Sequence, residues 1–136
     1  MSSMMRCRFK LVIALLLAQA LMGCNAGTTD SPNQKYPDVI AAAVQARGPD
    51  TFDFDVTVSS PYDTPQRYAD AFHITGRDGT VFGERTLFHD HATEQPFTRD
   101  LYGVRIPSDV PVVVVQARDR KHGYCGKTVE VALPGR

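Results

Sequence analysis

Alternating apolar and polar residues dominate the chain after its first 35 positions. Between Phe52 and Val58 every second residue is apolar, which is the pattern of a strand with one buried face. The segment from Tyr68 to Ile74 alternates in the same way, but Asp70 interrupts its apolar face. Because burying an unpaired carboxylate is costly, we expect Asp70 to lie where the strand bends and to pair with Arg99 or with a backbone amide.

Further strands are predicted over four segments: residues 81–88, 97–106, 112–117 and 128–133. A turn signal at residues 77–80 precedes the first of them. The 97–106 strand is expected to be irregular at Gly103. The run at 112–117 is apolar throughout, which is typical of a central strand.

Residues 39–46 fit two structures. As a strand, the segment would turn Ile40, Ala42 and Val44 inward. As a short helix, it would be capped by Asp38 and favoured by its run of alanines. We choose the strand.

Strands at this spacing, separated by Gly, Pro and Asp, predict an all-β fold. We expect a single antiparallel β-sandwich over residues 36–136, with the Ig/fibronectin-III type as its nearest architecture. The chain contains no Trp, so it is not an antibody-type domain. Residues 24–35 carry almost no apolar side chain and are expected to form a flexible tether.

The first 23 residues have the pattern of a signal peptide. A basic segment precedes about 11 largely apolar residues, too few to span a bilayer, and the run ends in Leu21-Met22-Gly23-Cys24. This arrangement resembles the lipobox of bacterial lipoproteins, and an ordinary cleaved signal peptide is the alternative. The resemblance implies cleavage before Cys24, palmitate-type acylation of that cysteine and a membrane anchor in the cell envelope. Asn25 after the cysteine implies the periplasmic side of the outer membrane in a diderm cell.

Composition narrows the function. Cleavage before Cys24 would leave 113 residues with 12 Lys and Arg against 15 Asp and Glu, a net charge of −3. No basic cluster suggests nucleic acid as a partner. Cys7 belongs to the signal and Cys24 to the lipid, so Cys125 stands alone and no internal disulfide is expected. No Met follows residue 22, which excludes a copper site with an axial Met.

Residues with metal-binding chemistry occur in two predicted connections. In an extended segment His89 and His91 point to the same side. His122 lies in the loop before the last strand, and Glu94 or Cys125 would serve as a fourth ligand. Such a group suits Cu or Zn.

The alternative for residues 89–99 is a polar turn. There Asp90 and Thr93 would cap backbone amides, and Glu94 would pair with Arg99. Separately, we consider Asp70, Arg99 and Tyr124 as side chains that face a ligand.

Four motifs carry a further resemblance: YAD at 68–70, HDHxxEQPFTR at 89–99, ARD at 117–119 and GYCG at 123–126. They resemble a small family of exported bacterial β-domain proteins to which no activity is attached, and the resemblance covers about residues 36–134. That family has GYGG at the last motif, so Cys125 is a departure, which weakens a metal site that relies on its thiol.

The sequence therefore predicts a membrane-tethered, non-enzymatic module that binds an envelope protein or a small ligand, without a cofactor. The alternative is a Cu- or Zn-binding protein of the cell surface that uses His89, His91 and His122. A hydrolase with His91 as its base ranks third, because no Ser or Cys nucleophile has a supporting pattern.

Overall fold

The computed structural model describes residues 33–136, and the predicted signal peptide, the lipidation site at Cys24 and most of the tether lie outside the described residues. The described part contains strands and no helix. Its strands are β1 (Asp38–Gly48), β2 (Thr51–Ser59), β3 (Ala69–Thr75), β4 (Val81–Thr86), β5 (Phe97–Arg105), β6 (Val112–Asp119), β7 (Gly123–Tyr124) and β8 (Val129–Ala132). Among these residues no helix has the length and hydrophobicity needed to cross a membrane.

The strands form two antiparallel sheets that pack face to face, so the predicted β-sandwich is confirmed. One sheet has the order β1-β2-β5, and the other has the order β4-β3-β6-β7, with β8 also paired to β6. The apolar run of β6 is thus central, as predicted, because β3 pairs with one edge of it and β7 and β8 with the other.

Side chains from the inner faces of both sheets fill the core. The alternating residues of β2 are all buried, and Phe72 and Ile74 of β3 meet them from the opposite sheet. The other predicted strands contribute in the same way, with Phe97, Val104, Ile106, Val113, Val115, Val131 and Leu133 in the core. All these residues lie between positions 39 and 133, so both sheets of the described segment share one hydrophobic core.

The ambiguous segment at 39–46 is a strand, which confirms that choice. The predicted inward position of Ile40 is wrong: Ile40 is 43% exposed and Val39 is buried instead. The pairing of β1 with β2 shifts register between Val39 and Ala41, so Ile40 is the extra residue of a bulge. Beyond the bulge Ala42 and Val44 pack against the core as expected.

The irregularity predicted at Gly103 is also present. Gly103 has a φ of 69°, and the pairing of β2 with β5 shifts register at this point. Its amide donates a 2.9 Å hydrogen bond to Asp53, which lowers the pKa of that carboxyl group despite the opposing effect of burial. The Asp53 side chain alternates with the core residues of β2 and would be expected to face solvent, but it is buried. The hydrogen bond from Gly103 offsets the cost of burying its carboxylate.

Connecting segments gather at two ends of the sandwich. We call the end formed by residues 33–37, 60–68, 87–96 and 120–122 the N-terminal end. The opposite end holds the β1–β2 turn, the β3–β4 turn and the β5–β6 connection. There the Arg136 side chain donates to the carbonyl oxygens of Ile106 and Val110 at 2.8 Å and to Asp50 at 2.7 Å.

Candidate functional site

The β4–β5 loop, which carries two of the predicted metal ligands, is fastened to the β2–β3 loop. The buried carboxylate of Asp63 accepts from the amide of His91 at 3.0 Å and from the amide of Ala69 at 3.1 Å. The Gln95 side chain accepts from the Ser60 amide at 2.7 Å and donates to the His91 carbonyl at 3.0 Å. The polar residues of this motif therefore hold two loops together.

The rest of the loop has the polar-turn arrangement. Glu94 and Arg99 form a two-pronged ion pair at 2.9 and 3.2 Å, which confirms that predicted pairing. The Glu94 amide donates to the His91 carbonyl at 3.0 Å, and Asp90 accepts from the Ala92 amide at 3.4 Å. Arg99, one of the side chains considered for a ligand, thus has its guanidinium engaged by Glu94.

Two of the three predicted histidine ligands come together. The His89 and His91 ring centroids are 4.7 Å apart. His91 is only 4% exposed, stacks on Phe97 with ring centroids 3.9 Å apart, and its Nδ1 has no hydrogen-bond partner among residues 33–136. His89 is exposed.

His122 lies elsewhere, in the turn after β6. Its ring and the ring of Tyr36 form a T-shaped contact, with centroids 5.7 Å apart. Within residues 33–136 no three His, Cys, Asp or Glu side chains lie close enough together to hold one metal ion. The predicted group of His89, His91 and His122, with Glu94 or Cys125 as fourth ligand, is therefore not assembled in this part of the chain. Binding of Cu or Zn stays a prediction.

Asp119 holds His122 in its place. This carboxylate is fully buried and accepts from the amides of Lys121 and His122 at 3.0 and 2.9 Å, from the Tyr62 hydroxyl at 2.8 Å and from Arg67 at 3.2 Å. Burial acts to raise the pKa of Asp119, but these hydrogen bonds outweigh it and hold the pKa below its ordinary value. An Asp just before a turn is a common acceptor for turn amides, so this role was within reach of the sequence.

Cys125 is half-buried and free. Its Sγ donates to the Gly123 carbonyl at 3.4 Å, and burial raises the pKa of the thiol. Because the thiolate is the form that binds metal or attacks a substrate, this environment does not activate Cys125.

A second group of polar side chains lies on the outer face of the β4-β3-β6-β7 sheet. We call Asp70, His73, Glu84, Arg118 and Tyr124 the outer-face cluster. Arg118 donates to the two Asp70 oxygens at 2.8 and 3.3 Å and lies 3.6 Å from a Glu84 oxygen. Tyr124 stacks on His73 with ring centroids 3.6 Å apart and donates to Glu84 at 2.5 Å. The Tyr124 side chain thus reaches from β7 toward β4 across the sheet.

The cluster unites two of the three side chains that we considered for a ligand, Asp70 and Tyr124. The predicted pairing of Asp70 with Arg99 is wrong, because a bulge between Ala69 and Ala71 turns Asp70 toward Arg118 on the neighbouring strand. The pairing of β3 with β6 is irregular at Asp70, and the predicted bend of the strand there stays a prediction.

Sequence reasoning missed His73, Glu84 and Arg118. The register of a hairpin could have paired the first two, because β3 and β4 flank the predicted turn and place His73 opposite Glu84. Arg118 faces Tyr124 across the next turn in the same way.

Burial sets the protonation of the cluster. It lowers the pKa of His73, with the Glu84 charge partly opposing that effect, so the imidazole is neutral at pH 7. Burial and the hydrogen bond to Glu84 raise the pKa of Tyr124, so its hydroxyl stays a donor. The cluster therefore combines an aromatic pair with fixed ionic groups of both signs, which suits hydrogen bonding to a polar ligand.

Comparison of the chain with protein-family models, with curated proteins and with solved structures finds no match.

The buried imidazole of His91 should make stability depend on pH. Burial lowers its pKa from the ordinary 6.5, and the Arg99 charge adds to this effect. The unfolded chain therefore binds more protons than the folded chain as pH falls below about 6.5. As a result, the free energy of unfolding decreases as the pH is lowered, by at most about 1.4 kcal/mol per pH unit for one group. We expect His91→Phe, which keeps an aromatic ring against Phe97, to reduce this slope in urea unfolding between about pH 7.5 and about pH 5.5.

His89→Phe is the matched control, since His89 is exposed and lies two positions before the buried ring. It should keep most of the wild-type slope, because burial, the main cause of the lowered His91 pKa, is unchanged and only the smaller effect of the His89 charge is lost. His73, whose pKa is also lowered by burial, contributes to the dependence that remains in His91→Phe. A wild-type slope in His91→Phe would contradict this role for His91.

Proposed function

We propose that the protein is a bacterial lipoprotein, anchored through Cys24, whose β-sandwich serves as a non-enzymatic binding module in the cell envelope. The lipobox pattern at residues 21–24 supports the anchor, and Asn25 supports the periplasmic side of the outer membrane in a diderm cell. Membership of the small exported β-domain family is part of this proposal. The Ig/fibronectin-III type is also part of this proposal. In the constant-type immunoglobulin arrangement the fourth strand joins the first sheet, whereas here β4 lies in the second sheet, β4-β3-β6-β7, beside β3. The strand orders therefore favour the fibronectin-III form of this architecture.

The observation that carries the binding role is the outer-face cluster. Its ionic groups are fixed in place before any ligand arrives, which reduces the entropy lost on binding. Arg118 and Glu84 are each about one-third exposed, so both can still contact a ligand. In contrast, Asp63 and Gln95 in the loops of the N-terminal end use their polar atoms on each other's loops. The ligand is accordingly a polar group or an envelope protein that carries one.

The anchor predicts that Cys24→Ser abolishes lipid attachment. The sulfur of Cys24 is the atom that would be alkylated, and a serine hydroxyl does not replace it in this reaction. In cells fed radiolabelled palmitate, the wild-type chain should carry the label and sediment with membranes. Cys24→Ser should carry none and lose its stable membrane attachment.

Cys7→Ser is the matched control, because Cys7 lies in the same predicted signal peptide but outside the lipobox. It should be labelled like the wild type. An unlabelled wild-type chain, or a labelled Cys24→Ser chain, would refute the anchor.

The binding face predicts where a partner touches the domain. A photo-crosslinking amino acid at Gln116, which pairs with His73 on the outer face, should give discrete adducts in the cells that naturally make the protein. The same group at Asp55, exposed on β2 of the other sheet, should give none. Adding Arg118→Gln should weaken the Gln116 adducts. Equal adducts from both positions, or none from Gln116, would rule out this face.

A second candidate function is binding of Cu or Zn. The observations that favour it are the 4.7 Å approach of the His89 and His91 rings and the unpartnered Nδ1 of His91. Two imidazoles so close can both reach one ion.

Metal titration of the purified protein tests this candidate. If the pair is the site, binding of Cu or Zn should be submicromolar, should be lost in His89→Ala/His91→Ala and should survive in His122→Ala. Loss in His122→Ala as well would restore the three-histidine site. Absence of binding in the wild type would eliminate the metal function and leave the binding module.

A further inference from the structure

Exposed cations and an exposed aromatic ring share the N-terminal end of the sandwich. Lys35, Arg120 and Lys121 are exposed there, and Phe88 is 84% exposed, the largest value among the exposed large apolar side chains of the described residues. A single exposed apolar side chain is common on protein surfaces, so its position beside cations is the feature to explain.

Contacts with Tyr68 bring Phe88 and Arg120 together. The Arg120 amide donates to the Tyr68 carbonyl at 2.9 Å, and its guanidinium lies 5.4 Å from the centre of the Tyr68 ring. The Tyr68 hydroxyl in turn donates to the Phe88 carbonyl at 3.4 Å. Tyr68 thus links the Arg120 guanidinium to the Phe88 backbone, which places both residues at the same end of the sandwich.

Lys35 joins the surface from the other side. The Arg67 guanidinium donates to the Lys35 carbonyl, and Tyr36 contacts the ring of His122, which follows Lys121 directly. We call Lys35, Phe88, Arg120 and Lys121 the basic-aromatic surface.

Acidic groups at this end do not cancel the charge. Asp63 and Asp119 are 5% and 0% exposed, and the carboxylate oxygens of both accept hydrogen bonds within the fold. Glu94 pairs with Arg99. Asp90 near His89 and Asp38 at the start of β1 are the partly exposed acids that remain among the described residues of this end. The surface is therefore positive although residues 24–136 together carry −3.

The chain enters the sandwich at this same end. Cys24 precedes Lys35 by eleven residues, so a lipid on Cys24 would lie no further than about 40 Å from the basic-aromatic surface. Tethering at this range raises the local concentration of the membrane, so that contacts too weak to bind a free protein become populated.

We infer that the basic-aromatic surface docks on the anionic phospholipid membrane that holds the anchor, with Phe88 in the headgroup region and the cations on lipid phosphates. Basic groups near an anionic surface and an interfacial aromatic ring are the two contributions that hold a domain on a membrane. The inference rests on the proposed anchor at Cys24, which supplies the proximity. It goes further in giving the domain one orientation on the membrane.

Phe88→Trp provides a direct test, because the chain contains no other Trp. The lipidated protein would be incorporated into phosphatidylcholine vesicles that contain phosphatidylglycerol and a brominated lipid. Docking should shift the Trp emission to the blue and quench it. Tyr102→Trp, an exposed aromatic on β5 outside the N-terminal end, is the matched control and should show neither effect.

Charge reversal separates docking from anchoring. Arg120→Glu/Lys121→Glu should abolish the quenching of the Phe88→Trp chain, whereas Arg77→Glu/Arg105→Glu, the same charge change at the opposite end, should leave it intact. Replacing phosphatidylglycerol by phosphatidylcholine should also abolish it. Each variant must first float with the vesicles, which shows that the lipid is attached.

Failure of the wild type to float would refute the anchor and not the docking surface. Floating without quenching in anionic vesicles would refute the docking surface and leave the anchor intact. Equal loss in both charge-reversal variants would also refute it, because net charge rather than this surface would then be responsible.

Discussion

Two buried carboxylates, Asp63 and Asp119, are the constraint on which the loops of this domain depend. The described residues contain a single, free cysteine, so no disulfide within them can hold the connecting segments. A buried carboxylate is costly unless donors surround it, and the two residues draw those donors from the β2–β3 loop, the β4–β5 loop and the turn after β6. The cost of burying these charges is thus also the reason why the N-terminal end has one defined arrangement.

This constraint explains why the motif with the most chemistry in the sequence is largely structural. Residues 89–99 contain two His, two acids, a Gln and an Arg, a composition that also suits a metal site. In the fold, Gln95 and the His91 backbone fasten the loop to Ser60 and Asp63, and the acids cap the turn or pair with Arg99. The side chains that remain accessible with fixed geometry lie instead on the outer face of the second sheet, where Arg118 and Tyr124 carry the candidate site.

Period-two patterning predicted most of the fold because burial of one face dictates it directly. The strands that contain Phe54, Phe72 and Val115 could be placed from alternation or from an apolar run alone. The errors fall at bulges: one extra residue exposes Ile40, and another turns Asp70 toward Arg118. A bulge depends on the partner strand, so the alternation along one strand does not reveal it. The candidate site depends on cross-strand register for the same reason, and only Asp70 and Tyr124 could be selected beforehand.

The two proposals place the anchor and the binding face in a definite relation. Arg118 lies at the end of β6 that leads into the Arg120–Lys121 turn, and Tyr124 follows that turn by three residues. The outer-face cluster therefore lies in the half of its sheet nearest the basic-aromatic surface. If that surface rests on lipid, the strands extend away from the membrane. The cluster then faces parallel to the membrane plane, close to the headgroups. A ligand would then approach along the membrane, as a neighbouring envelope component does, because the approach from the lipid side is blocked by the domain itself.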